Sequence, residues 1–175
     1  MKKHESQIHG DGRLKKYLDE KSYEEWVINV HNMENEKYAL SKGLVPSSTY
    51  FLIRENDDKL IGMIDLRTKL NDYLRNYGGN IGYSIRPTER RKGYNKINLY
   101  LALQICQKHK IKEVMLDCDK DNLGSAKTMQ ALGGKLTKEY YDENVKCLVQ
   151  QYIIDVDKSV EKYKNILYKS IEKNI

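Results

Sequence analysis

Basic residues crowd around a single glycine near the middle of the chain. Gly93 lies among five cations that fall within eleven residues. These cations are Arg86, Arg90, Arg91, Lys92 and Lys96. In a chain with a formal net charge of +6, the cluster indicates an anionic partner, either a nucleic acid or a phosphorylated cofactor, although a solvated surface would look the same. Gly93 would let the backbone approach that anion closely, because glycine has no Cβ.

Histidine and cysteine show neither a metal-binding nor a disulfide pattern. The four histidines, at positions 4, 9, 31 and 109, are scattered along the chain. The three cysteines, at positions 106, 118 and 147, lie far apart and form no CxxC pair. We therefore expect no metal and reduced cysteines, as in a cytoplasmic protein. No stretch approaches the ~20 apolar residues that span a bilayer, so no membrane partner is expected.

The elements that position the basic cluster follow from the spacing of apolar side chains. Helical spacing over 14–40 predicts two helices or one broken helix, with Ser22 as N-cap. Further helices are predicted over 93–109, 122–132 and 155–175, with a short helical or irregular piece at 70–77. Strands are predicted at 49–54 and 60–66, which form a hairpin, and at 80–85, 112–118, 135–140 and 145–154. A chain of 175 residues fits one domain, in which residues 155–175 form a helical extension of residues 1–154.

One unit of this pattern has the geometry of a ligand site. The strand 80–85, the helix 93–109 and the strand that follows predict a right-handed βαβ crossover with two parallel strands. Their carboxyl ends then share one edge of the sheet, where the basic loop 86–92 also lies. The loop runs into the first turn of the helix, whose N–H groups and dipole favour an anion. A pyrophosphate fits this description.

The residues of this unit also resemble a known family. Residues 81–94, followed by Asp121-Asn122, Ser125 and Gly133-Gly134, resemble the GNAT superfamily of N-acetyltransferases over roughly residues 49–154. The resemblance implies an α/β fold, with a mixed, mostly antiparallel sheet that contains a central parallel βαβ pair, flanking helices and an amphipathic C-terminal helix. It also implies transfer of an acetyl group from acetyl-CoA to a primary amine of an unidentified small molecule or peptide, by direct attack on the thioester.

The motifs of the family fall on particular residues of this chain. Its pyrophosphate motif, Arg/Gln-x-x-Gly-x-Gly/Ala, falls on Arg90, Gly93 and Asn95, and Asn95 departs from the small residue of the family. Its downstream Asn-x-x-Ala/Ser falls on Asn122 and Ser125, which would contact the pantetheine arm and the nucleotide half, although Asn122 could equally cap a helix. At the end of the strand 80–85, backbone groups would pair with the pantetheine. The implied acetyl-CoA site consists of Ser84, Ile85, Arg86, Arg90, Arg91, Lys92, Gly93, Tyr94, Asn95, Asn122 and Ser125.

Acetyl transfer needs an oxyanion donor and an acid that protonates the leaving thiolate. The resemblance places the oxyanion donor at the backbone N–H of about Ile85. Many members of the family carry a tyrosine acid seven residues after the motif asparagine, but Met129 occupies that position here. The tyrosines that could replace it are Tyr140, Tyr141 and Tyr83.

The reaction also needs an acceptor for the proton of the amine. Asp117 and Asp65 lie on predicted strands and Glu89 lies in the basic loop, and partial burial would raise the pKa of such a carboxyl group. For each of the three, an exposed or ion-paired acid is favoured over this role. A water chain is an equal alternative. The candidate catalytic residues are therefore Tyr140, Tyr141 and Asp117.

Two other functions fit the same residues. Because Met129 replaces the usual acid, the chain could be an acetyl-CoA-binding sensor without turnover. It could also be an RNA-binding module that uses the basic loop and stacks bases on its 14 tyrosines. The tyrosines are spread along the chain, so a nucleic acid partner is not expected.

The first strand that is usual in the family has no evident counterpart before residue 14, and its loss would leave 49–54 as an edge strand and favour a homodimer.

Overall fold

The computed structural model describes residues 22–143 and 146–172, which form two antiparallel three-stranded sheets with helices around them. The first sheet contains β1 (Ser47–Arg54), β2 (Lys59–Arg67) and β3 (Ile81–Ile85) in the order β1-β2-β3. The second contains β4 (Glu113–Asp119), β5 (Lys135–Asp142) and β6 (Cys147–Asp155) in the order β4-β6-β5. The helices are α1 (Tyr23–Asn32), α2 (Glu36–Ser41), α3 (Asp72–Asn76), α4 (Tyr94–Lys108), α5 (Leu123–Ala131) and α6 (Val156–Glu172). This is the mixed α/β fold class that the sequence predicted.

α1 begins at the predicted cap. Ser22 Oγ accepts a hydrogen bond from Glu25 N at 3.2 Å, and Glu25 Oε2 accepts one from Ser22 N at 2.9 Å, which completes a capping box. Trp26 of α1 is buried and lies 6.3 Å from the ring of Phe51 on β1, measured between ring centroids.

The predicted helix before Ser22 and the question of a first strand concern residues 1–21, which lie outside the described residues. Within the described part, β1 pairs only with β2.

β3 and β4 are the facing edges of the two sheets. They flank α4 as predicted, but no continuous ladder joins them in the residues described. They are linked by a bridge between Gly79 and Leu116 and by Asn80, whose side chain donates to Arg67 O at 3.1 Å and accepts from Met115 N at 2.9 Å. Gly79 has φ +62°, and a Cβ there would collide with the Met115 backbone, so this close approach requires glycine.

α4 is the centre of the hydrophobic core. It packs against β2 and β3 on one side and against α5 and α6 on the others. Its side chains Leu99, Ala102 and Leu103 are fully buried, and Tyr100 Oη donates to Val160 O of α6 at 3.2 Å. Burial of so much apolar surface fixes α4 firmly, and with it the position of its first turn beside the end of β3.

Candidate active site

A cavity of about 850 Å³ lies between the facing edges of β3 and β4. Its wall contains residues 81–83 of β3 and 117–119 of β4, so the absence of a ladder between these strands leaves room for a ligand. Another side is closed by Asn29 of α1, by Met33 just after that helix and by Leu44 after α2. The basic loop 86–92 does not line this cavity.

A tyrosine and an aspartate face each other in the cavity wall. Tyr140 Oη donates to Asp117 Oδ2 at 2.6 Å, and the same oxygen accepts from Gly78 N at 2.8 Å. Burial raises the pKa of Tyr140 above its ordinary value of 10, and the bonded Asp117 carboxylate raises that pKa further. Tyr140 therefore stays protonated and can only donate a proton, not accept one, at neutral pH. Asp117 Oδ1 is buried and has no hydrogen-bond partner among the described residues.

The other two candidate tyrosines differ from Tyr140. Tyr83 lines the cavity, and its hydroxyl donates weakly to Ser125 O at 3.5 Å; burial raises its pKa. Tyr141 is 52% exposed and lies outside the cavity wall, because successive side chains of β5 point to opposite faces. The geometry thus favours Tyr140 over Tyr141 as a catalytic candidate.

Further charged residues line the cavity, and sequence reasoning did not single out all of them. Asp65 is buried and pairs with Arg67 Nη2 at 2.8 Å, so the guanidinium balances its charge. The spacing of Asp65 and Arg67, two residues apart on one strand, was the available signal, because it puts both side chains on one face. Asp119 and Asp142 also line the cavity and were missed.

At the end of β3, the backbone N–H of Ile85 points away from β2, toward the side of the sheet that faces β4. Arg86 N donates to Ile61 O at 2.8 Å, and β2 and β3 pair in a regular antiparallel register, so Arg86, Ser84 and Gly82 face β2. The alternating N–H of Ile85 therefore points to the opposite side, along the edge that faces β4. Of the three residues predicted to pair with a pantetheine, Ile85 has the required direction, whereas the N–H of Arg86 is already used within the sheet.

Gly93 has the open surroundings expected for a phosphate contact. It is the N-cap of α4 with φ +88°, and no side chain caps the helix there. A Cβ placed on Gly93 would have no atom within 4 Å, so the space in front of the first turn is open. Arg91, two residues earlier, also has a left-handed backbone, with φ +65°. Backbone N–H groups at a helix start with open space in front of them suit an anion such as pyrophosphate.

Several cations of the loop bond to protein groups. Arg86 Nε donates to Leu60 O at 2.8 Å, and Arg90 Nε donates to Ile85 O at 3.1 Å. Both side chains therefore brace the backbone at the end of β3.

Glu89 cannot act as the base that the sequence suggested. Its side chain is 3% exposed and contacts Lys59 Nζ at 2.6 Å and Lys92 Nζ at 3.0 Å. These two ammonium groups lower the pKa of Glu89 to about 2, whereas burial alone would have raised it. Glu89 is therefore the ion-paired acid that the sequence analysis favoured over a base, because the basic neighbours of the loop outweigh desolvation.

Asn95, Asn122 and Ser125 connect the starts of α4 and α5. Asn95 Nδ2 donates to Thr128 Oγ1 at 3.0 Å, while Asn95 Oδ1 is buried without a partner among the described residues. Asn122 Oδ1 accepts from Ser125 N at 3.2 Å, so Asn122 caps α5, and both residues also line the cavity. Of the two roles considered for Asn122, capping is confirmed, and contact with a ligand in the cavity stays compatible with it.

Metal-ligand clusters and membrane-spanning helices are both absent from the described part of the chain. Among residues 22–143 and 146–172, no group of three or more histidine, cysteine, aspartate or glutamate side chains is arranged to hold a metal ion. None of the helices in that part of the chain is long and apolar enough to cross a membrane.

Comparisons with solved structures show what this fold is similar to. A spermidine N-acetyltransferase chimera from Vibrio cholerae is 15% identical, with a TM-score of 0.57 over 79% of this chain and 80% of that one. A ribosomal-protein-S5-alanine acetyltransferase from Vibrio fischeri is 16% identical, with a TM-score of 0.56 over 77% and 70%. An acetyltransferase of the GNAT family from Bacillus anthracis is 19% identical, with a TM-score of 0.55 over 85% and 84%. At these identities the likeness shows the fold.

The sequence comparisons show the family. No curated protein sequence matches the chain. The family model described as an acetyltransferase (GNAT) domain matches residues 6–135, which is well over half of the 175 residues and contains both the loop at Gly93 and the cap at Asn122. The chain therefore belongs to the GNAT acetyltransferase family, and it is an acyl-CoA-dependent N-acetyltransferase.

Proposed function

We propose that the protein transfers the acetyl group of acetyl-CoA to a primary amine of a small molecule or peptide that enters the cavity between β3 and β4. The observation that carries the proposal is the protonated Tyr140, held by Asp117 in the wall of that cavity. Two relatives by fold are named for amine acceptors, spermidine and a ribosomal protein, which supports an amine but not a particular one.

The cofactor would bind along the outer edge of this cavity. The open first turn of α4 at Gly93 would take the pyrophosphate, and the outward N–H of Ile85 would take the thioester carbonyl. Asn122 and Ser125, which line the cavity near α5, would contact the pantetheine arm.

The chemistry follows from these positions. The amine attacks the thioester carbonyl carbon, and Ile85 N–H donates to the oxygen that becomes negative. As the new C–N bond completes, the C–S bond breaks, and the Tyr140 hydroxyl turns from Asp117 Oδ2 to donate to the departing sulfur. Tyr140 Oη passes its proton to the sulfur while it takes the proton that the former amine releases, because burial and Asp117 disfavour a free tyrosinate. The products are the acetylated amide and CoA with its thiol, and Tyr140 returns to its protonated state.

A thiolate with a pKa near that of cysteine, about 8.5, leaves without much assistance. Tyr140 therefore contributes most by supplying a hydrogen bond to the sulfur as charge develops, and Asp117 holds the hydroxyl in the cavity wall until the thioester is bound. The three cysteines are all free in the structure, which supports a reducing compartment such as the cytoplasm as the place of action.

The test is turnover of acetyl-CoA with a panel of primary amines that includes polyamines, amino acids and peptides with free N-termini. We expect amine-dependent release of CoA together with an acetylated product identified by its mass. Tight binding of acetyl-CoA with no amine-dependent release across the panel would contradict the proposal and favour a sensor without turnover.

A further inference from the structure

A buried carboxylate lies at the start of the loop that carries Gly93. The side chain of Glu89, 3% exposed, contacts Lys59, Lys92 and Arg54, the last at 3.2 Å between Glu89 Oε2 and Arg54 Nη1. Arg54 and Lys59 belong to the hairpin formed by β1 and β2, some 30 residues earlier in the chain. Glu89 thus attaches the loop to a separate part of the first sheet.

The same guanidinium also reaches the far end of the loop. Arg54 Nη1 donates to Tyr94 Oη at 3.1 Å, and Tyr94 is the buried first residue of α4. Arg54 itself is held by two bonds to Asp57, Nε to Oδ1 at 2.8 Å and Nη2 to Oδ2 at 2.6 Å. One side chain from the end of β1 therefore spans residues 89–94, the loop whose N–H groups would take the pyrophosphate.

The loop needs such support because its backbone is unusual. Arg91 has φ +65° and Gly93 has φ +88°, so two of the five residues after Glu89 are left-handed. A left-handed arginine is disfavoured in the absence of surrounding contacts that hold it. An unsupported loop would populate other conformations in which its N–H groups do not converge on one anion.

We propose that Arg54 and Glu89 are positioning residues, which hold residues 89–94 in the shape that binds the pyrophosphate of acetyl-CoA before the cofactor arrives. The inference rests on the proposed function, because it takes the open turn at Gly93 as the cofactor site. Arg54 acts on the loop and does not bind the phosphates, since its donors are directed to Glu89, Tyr94 and Asp57.

The sign of one mutational effect separates positioning from simple charge. Glu89→Gln removes a negative charge beside an anion site, so electrostatic attraction alone would tighten acetyl-CoA binding. Loss of the positioning contacts would weaken it instead, because the loop N–H groups would no longer converge on the pyrophosphate and would lose hydrogen bonds to a charged group. One such bond corresponds to roughly tenfold in affinity or more, so we expect the Kd for acetyl-CoA, measured by titration calorimetry, to rise roughly tenfold or more.

Kinetics and proteolysis give two further readouts for the same variant. We expect KM for acetyl-CoA to rise while kcat at saturating cofactor and KM for the amine stay near the wild-type values. We also expect faster trypsin cleavage after Arg91 and Lys92, because the loop opens more often. Mass spectrometry of the fragments measures this cleavage. Glu139→Gln is the matched control, since Glu139 lies on β5 and bonds to Lys120 and Gln150 instead.

Arg54→Lys is a second variant that keeps the charge, but its single nitrogen cannot hold Asp57 at two points and also reach Glu89 and Tyr94. It should weaken acetyl-CoA binding and speed cleavage of the loop in the same direction. Unchanged or tighter binding in both variants, with unchanged cleavage, overturns the inference. If the wild type binds no acetyl-CoA, the proposed function fails, and the cleavage rates still decide whether Arg54 and Glu89 hold the loop.

Discussion

Removal of one oxygen atom tests the role of Tyr140. Tyr140→Phe deletes the hydroxyl that donates to Asp117 Oδ2 at 2.6 Å and leaves the ring, which packs edge-on against Tyr77 at 5.2 Å between centroids. A side chain that transfers a proton in the transition state typically contributes 10²–10⁴-fold to the rate. Because a thiolate leaves readily, we expect the lower end, a fall in kcat of about 100-fold, with KM for acetyl-CoA almost unchanged.

The cost in stability is separate and small enough to leave a folded enzyme. Asp117 Oδ2 loses one of its two hydrogen bonds but keeps the bond from Gly78 N at 2.8 Å. An unsatisfied buried acceptor costs about 1–3 kcal/mol, and the bond that remains places the expected loss near the lower end. Thermal melting and steady-state kinetics on the same preparations separate the two effects.

Two neighbouring tyrosines provide matched controls for this substitution. Tyr141→Phe removes an exposed hydroxyl outside the cavity, so kcat and stability should stay near the wild-type values. Tyr83→Phe removes only a weak 3.5 Å bond to Ser125 O, and its effect on kcat should be much smaller than that of Tyr140→Phe. Wild-type kcat in Tyr140→Phe, or an equal loss in Tyr83→Phe, would refute the assignment of the acid to Tyr140.

The remaining predictions concern stability and cofactor binding. The pKa of Glu89 is about 2 in the folded protein, below its ordinary value of 4.5, so the contribution of its ion pairs to stability is present above pH 4.5 and is lost as the pH falls toward 2. The melting temperatures of wild type and Glu89→Gln should therefore converge between pH 4.5 and 2. A constant difference between them would contradict this prediction. Gly93→Val should lower the free energy of unfolding by about 1–2 kcal/mol, because φ at Gly93 is +88°, and Gly93→Asn should lower it by less. Equal melting temperatures of wild type, Gly93→Val and Gly93→Asn would exclude a left-handed turn at this position. Acetyl-CoA at 100 times its Kd should stabilise the fold by about 2.7 kcal/mol, and free CoA no more than that; no shift at millimolar acetyl-CoA would contradict the cofactor site.

Features set by neighbouring residues were predictable from the sequence. The caps at Ser22 and Asn122 each depend on residues three positions apart, and the hairpin of β1 and β2 grows outward from a pair, Arg54 and Lys59, that is five positions apart. The helix after Gly93 was predicted for the same reason, although the structure makes Gly93 the left-handed N-cap and begins α4 at Tyr94. Local preferences are strong at these positions, and tertiary packing agrees with them.

Contacts between distant residues were not predictable in the same way. Tyr140 and Asp117 are 23 residues apart, and they meet because β6 lies between β4 and β5 and the turn before β3 closes on the same aspartate. Sequence reasoning named both residues without a reason to pair them. Arg54 meets Tyr94 across 40 residues, and nothing in the local pattern connected the β1–β2 hairpin with the basic loop.

The separation of the two sheets was also beyond the sequence pattern. Apolar runs at β3 and β4 were compatible with a continuous parallel pair. In the structure the two edges are linked instead by an antiparallel bridge at Gly79, by the bond from Asn80 N to Met115 O at 2.7 Å and by the two bonds of the Asn80 side chain. An ion-paired Glu89 was expected, but its partners were not, since the lysine that lowers its pKa most is Lys59 on β2, 30 residues away.

A crystal structure with acetyl-CoA bound tests the central claim most directly, that the thioester lies between the Ile85 N–H and the Tyr140 hydroxyl. We predict the pyrophosphate at the first turn of α4, the carbonyl oxygen within about 3.2 Å of Ile85 N, and the sulfur within about 4 Å of Tyr140 Oη. A thioester bound away from both groups, or a pyrophosphate remote from Gly93, would contradict it.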